Sequence, residues 1–142
     1  MTAPHDERPS SLLDPDEIAL LSRALDEWGG PAHASDLLAR GMGFADARTL
    51  VQRCAALRTD LKRDVPLEAA DWARVLLAVE IVFASDLVGS GTDWRTTTGM
   101  DDDETIRILR TIQRKLGRVV RPYYGTTPGD AVLTCRPSER SV

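Results

Sequence analysis

Few residues of this 142-residue chain have types and spacings suited to chemistry beyond packing. Nucleophilic catalysis needs a serine or cysteine beside a base. The only imidazoles are His5, in a polar N-terminal segment, and His33, just after Gly29-Gly30-Pro31, and both read as solvent-facing. Cys54 and Cys135 stand far apart with neither CxxC spacing nor histidine neighbours. No zinc site or disulfide framework is expected from them, and a reducing, cytoplasmic setting fits. Gly89-Ser90-Gly91 lacks both the spacing of a phosphate-binding loop and the strand that precedes a dinucleotide fingerprint. Asp101-Asp102-Asp103-Glu104 would attract a divalent cation, yet carboxylates at a helix start are accounted for by the positive end of the helix, and their order is not that of an EF-hand loop. Neither metal nor cofactor is expected. Glu80 remains: a carboxylate in the middle of the longest apolar run must be answered by a partner. The expected partner is an arginine, Arg74 or one from a neighbouring helix, or else donors from the Gly89–Gly99 loop. Alternatively, Glu80 lines an acidic cleft with Asp86, Asp93 and Arg95 and does acid–base work.

Cations form the second group. Residues 1–104 carry ten Arg or Lys against twenty Asp or Glu, whereas residues 105–142 carry eight against two. A basic end either meets an acidic partner or folds back on the acidic body. At 100° per residue Arg107, Arg110, Arg114 and Arg118 fall in a narrow arc opposite the apolar stripe Ile106, Leu109, Ile112 and Leu116. That arginine face is the sharpest candidate for binding. Within Ser35–Leu61, Ala39 is followed four residues later by Gly43 and then Phe44, which resembles the helix-turn-helix motif. The resemblance implies Arg48, Gln52 and Arg53 as DNA contacts. Thr49 and Gln52 depart from it, standing where the motif favours apolar residues, and the segment lies in the acidic part of the chain, where a DNA reader needs a basic footprint.

The elements that must position these groups centre on Ala69–Val88, apolar all round and therefore expected as a buried central helix. Asp71, Arg74, Glu80 and Asp86 interrupt it, so no membrane span is expected. Asp14, Pro15 and Glu17 announce an earlier helix by a capping box, with Leu13 placed to staple onto Ile18, and Asp101 with Glu104 announces a later one. Between them Gly89–Met100 reads as a polar recognition loop holding one large aromatic, Trp94, with Gly89 and Gly91 closing the central helix.

The expected fold is mainly α, a bundle of about five helices around residues 69–88. Its expected organisation is a disordered N-terminus over 1–11, one helical domain over 12–118, and a basic extension over 119–142, either a short β-hairpin or a flexible tail. The function expected first is that of a non-catalytic cytoplasmic interaction protein, an adaptor or a regulatory or neutralising subunit. It would grip a protein partner through the 89–99 loop, with Trp94 and Arg95, and through Arg107, Arg110, Arg114 and Arg118. The first alternative is a helix-turn-helix DNA-binding regulator, and the second a small enzyme built on Glu80; a homo-oligomer is compatible with each.

Overall fold

The central segment is helical from Ala69 to Ala84 and carries the core. In the computed structural model, which describes residues 6–124, it is joined by α1 (Pro9–Leu12), α2 (Pro15–Glu27), α3 (Asp36–Gly41) and α4 (Ala47–Lys62) before it. The central helix is α5, and a 3-10 turn (Gly91–Asp93), α6 (Trp94–Thr98) and α7 (Asp102–Tyr124) follow it. The architecture is a mainly helical bundle with no strand among the described residues. None of the described helices is long and apolar enough to cross a membrane.

Helix α5 is wrapped by α2 on one side and α7 on another, and α2 also packs along α4. Trp72, Val75, Val79 and Val82 are all but inaccessible, as an all-round apolar helix in water requires. Helix α2 begins where the sequence predicts, with Asp14 accepting from the backbone of Glu17 while Glu17 Oε1 accepts from Asp14 N at 2.8 Å. The same buried Glu17 carboxylate receives Lys115 Nζ at 2.7 Å, so the cap of α2 doubles as an anchor for α7. Trp28 at the end of α2 donates its indole N–H to Ala78 O at 3.3 Å, clamping α2 to α5.

Four expectations are corrected. The central helix stops at Ala84 rather than Val88, because the Ser85 hydroxyl accepts from the backbone N–H groups of Leu87 and Val88, each at 3.2 Å, and turns the chain away. Leu87 consequently points to solvent. At the N-terminus residues 6–11 are ordered: Glu7 exchanges backbone hydrogen bonds with Leu67 at 3.0 and 2.9 Å, and α1 follows. Residues 119–124 are neither hairpin nor tail but the last turns of α7, with Val119 and Val120 buried, so the core extends past residue 118. Gly117 and Pro122 together cost a helix about 4 kcal/mol, and burying the two valines returns about 3–6, an offset of the same size that the helix gains only by continuing. Finally, 89–99 is not an open loop, since most of it is the 3-10 turn and α6. The remaining expectations for 1–5 and 125–142, His5 and Cys135 among them, lie outside the described residues.

Candidate functional site

The amphipathic period of α7 sets the arginine face. Leu109, Ile112 and Leu116 are buried against the core, and Arg107, Arg110, Arg114 and Arg118 are all exposed on the opposite side. At 1.5 Å per residue the strip from Arg107 to Arg118 is about 16 Å long. Because the helix runs on through Gly117, Arg121 falls on the same arc and is exposed too. In the sequence alone Gly117 reads as the helix end, which hides Arg121 from the face.

The chain's own carboxylates take up little of this strip. Arg118 approaches Glu7 at 3.7 Å, and Arg110 donates to Gln113 at 3.0 Å. Among the described residues Arg107 and Arg114 have no ion pair. Lys115 is instead taken by Glu17 and Asp14 at the start of α2. Its hydrogen bond to Glu17, above all, holds its pKa above the ordinary lysine value. Arg107 borders a depression that it shares with Asp14, Asp16 and Glu17. Arg107 stands beside the opening turn of α7, sharing a surface depression with Asp102, Asp103 and Glu104, so the strip changes sign at its N-terminal end.

Arg95 is exposed near this end and pairs with Asp101 at 3.0 Å. Trp94 does not join it: the indole is fully buried, donates to Thr105 Oγ1 at 2.8 Å and stands edge-on to Phe83 with centroids 5.4 Å apart. A partner cannot reach it, and the aromatic assigned to recognition belongs to the core. Of the two glycines expected to close α5 by left-handed geometry, only Gly91 has positive φ (32°). Gly89 is there for space.

A polar network missed by the sequence analysis holds the 89–99 segment down. Glu27, buried at the end of α2, accepts from Ser90 Oγ at 2.7 Å and faces Arg23 at 3.5 Å, and Arg23 also donates to the Thr97 carbonyl. Nothing local in the sequence pairs Glu27 with Ser90, 63 residues away.

Glu80 is half-buried and answered by an amide, not by an arginine: Gln113 Nε2 donates to it at 2.6 Å. Arg74, the expected partner, pairs with Asp71 at 2.9 Å and donates to Gly43 O. Neither Asp93 nor Arg95 makes a hydrogen bond or ion pair with Glu80. Burial raises the Glu80 pKa above its ordinary 4.5, against the opposing pull of Gln113 and of the Arg110 charge. A raised carboxyl contributes stability while protonated and loses it as pH rises through the raised value. Glu80→Gln, neutral at every pH, is therefore expected to melt above the parent at pH 8, with the gap closing as pH falls toward 4.5. Paired melting curves across that range check it.

The helix-turn-helix resemblance meets a hairpin of that general kind: Ala39 is buried, Gly43 turns the chain at φ 96°, and Asp36 caps the start of α4 through Ala47 N. Arg48 and Gln52 are exposed, but Arg53 is engaged by Asp71 at 3.1 Å. Among the described residues no group of three or more His, Cys, Asp or Glu side chains is arranged to hold a metal ion. Fold and surface define an all-α bundle with one cationic helix face. Set against known protein families, curated proteins and solved structures, the chain matches none of them.

Proposed function

We propose that this protein is a non-catalytic interaction module that binds an acidic protein surface through the outer face of α7, with Arg95 at its margin. The observation that carries the proposal is that Arg107 and Arg114 stand exposed without ion pairs among the described residues, on a chain with more carboxylates than cations. Elsewhere the same chain spends its acids on its own cations, as in Arg53 with Asp71 and Arg58 with Asp26. Cations left without ion pairs on a helix face steer and select a partner of opposite sign. An adaptor or a regulatory or neutralising subunit in the cytoplasm is the role such a surface serves.

Arg107→Glu with Arg114→Glu tests it. Arg110 is spared because its charge acts on Glu80. Both altered side chains are exposed and make no ion pair among the described residues, so the melting temperature is expected to stay within about 2 °C of the parent. Affinity capture from the native host followed by mass spectrometry is expected to lose its salt-sensitive partner. An unchanged set of captured proteins would refute the proposed face.

A further inference from the structure

The arginine face of α7 borders a seam with α5. Two hydrogen bonds set the two helices antiparallel along one edge: Glu80 accepts from Gln113 Nε2, and the Ala73 carbonyl accepts from the Tyr124 hydroxyl at 3.2 Å. By helical period Leu77 lies on the α5 strip that joins Ala73 to Glu80, and Gly117 on the α7 strip that joins Gln113 to Tyr124. Leu77 and Gly117 therefore stand level across the seam, with Ile81 one turn beyond Leu77 on the outer side of α5. Leu77 and Ile81 are only half-buried, so an apolar strip runs beside the guanidinium groups.

A glycine inside a helix weakens it, and it earns its place where φ is positive or where another backbone comes close. Gly117 has no such reason within its own chain. Its φ is not left-handed, and a Cβ built on it would meet only the end of the Arg121 side chain, at 3.6 Å. The missing side chain leaves a notch in the seam, with Arg114 and Arg121 one turn before and after it.

The charges indicate what fills it. From Arg107 to Arg121 the arginines recur every three or four residues, about 4.5–6 Å apart, and acids on one face of a second helix recur at the same steps. At the Arg107 end the sign reverses, because Asp14, Asp16, Asp102, Asp103 and Glu104 are all exposed there. A nucleic acid, negative along its whole length, would be repelled at that end. An antiparallel helix would not: helices favour acids in their first turn and cations in their last, which sets its acids against Arg118 and Arg121 and its cations against Asp102–Glu104. A second α7 laid antiparallel would match at its ends but would bring Arg110 and Arg114 up to their own copies.

We infer that the α5–α7 seam binds an acidic amphipathic helix of a partner protein, antiparallel to α7, with its apolar residues on Leu77 and Ile81, its backbone close to Gly117 and its carboxylates on the arginines. The inference rests on the arginine face being a partner surface and specifies what the partner brings to it. Burial of the apolar strip supplies the attraction, and the arginines select the sign.

The probe is a synthetic helical peptide of about 20 residues, with leucines at every third and fourth position, glutamates beside them and lysines in the last turn. It is titrated into the full-length chain by calorimetry and followed by amide shifts in a 15N spectrum. Saturable binding below about 1 mM is expected, with shifts concentrated on α5 and α7. A peptide of the same composition with its leucine period scrambled is expected to bind at least about 10-fold more weakly. Gly117→Gln fills the notch with a better helix former, so it is expected to raise the melting temperature by about 2–4 °C and yet weaken peptide binding at least about 10-fold. A Gly117 without a partner role would give the first effect and not the second. No saturable binding, equal binding of the scrambled peptide, undiminished binding by Gly117→Gln, or displacement of the peptide by a single-stranded DNA oligonucleotide of equal charge would overturn the inference. So would a dimer of the free chain that the peptide dissociates, since a second copy would then occupy the seam. Host proteins still captured by Gly117→Gln but lost from Arg107→Glu with Arg114→Glu would remove the seam and leave the arginine face standing, whereas capture unchanged by either would remove both.

Discussion

Trp94→Ala is expected to lower stability by about 4 kcal/mol, a large share of the 5–15 that a domain of this size commonly holds. Trp94 is completely buried, so the truncation removes a large apolar surface and leaves a cavity beneath the segment that follows α5. It also removes the edge-on contact with Phe83 and strands the Thr105 hydroxyl, itself 1% exposed, without its indole donor. Those losses add to the cavity, because an unanswered buried hydroxyl costs about 1–3 kcal/mol. A drop of roughly 12–15 °C in melting temperature is expected for a chain of this size, read in a thermal scan. Trp94→Phe separates the contributions: it keeps an aromatic ring for Phe83 but not the donor for Thr105, and is expected to lose about half as much. Were Trp94 a partner contact, the alanine variant would melt like the parent and fail only in binding.

The burial of Trp94 illustrates where the sequence stops being legible. The start of α2 is written locally, with cap, proline and reciprocal glutamate inside four residues, and the structure reproduces it. The amphipathic stripe of α7 and the all-round apolarity of α5 are likewise periodic signals that need no knowledge of the rest of the chain. What the sequence did not disclose depends on partners distant along the chain. Glu7 pairs with Leu67, Glu27 with Ser90 and Glu80 with Gln113, and no spacing rule links them. Local punctuation misleads where tertiary burial outbids it: Gly117 and Pro122 mark a helix end, but Val119 and Val120 reach the core only if the helix continues. The arginine face was legible because it is periodic. The α5–α7 seam was not, since it exists only once two helices are laid side by side.

Gly89→Ala is expected to cost about 3 kcal/mol or more. An added Cβ would lie 2.5 Å from Val82 O, 2.6 Å from Ile81 O and 2.8 Å from Val82 Cα. All three are backbone atoms of the last turn of α5, so no side chain can swing aside, and overpacking of this kind is relieved only by moving the chain. That chain is held: Ser90 N donates to Val82 O at 2.7 Å, and the Ser90 hydroxyl is bound to buried Glu27. Forcing the 85–90 turn off the helix end therefore opens the Glu27 network along with the clash. Two other glycines isolate the cause. Gly99 has φ 78° but open space around its would-be Cβ, so Gly99→Ala is expected to cost only the left-handed strain, about 1–2 kcal/mol. Gly41, inside α3 with neither positive φ nor a neighbour within 4 Å, is expected to gain about 0.5–1 kcal/mol on becoming alanine. Urea midpoints ordered Gly41→Ala, parent, Gly99→Ala, Gly89→Ala from most to least stable are the expected result. A Gly89→Ala variant as stable as the Gly99→Ala variant would mean that the turn after α5 is not pressed against the helix end, and that the segment beyond it is not held down by Glu27 and Arg23.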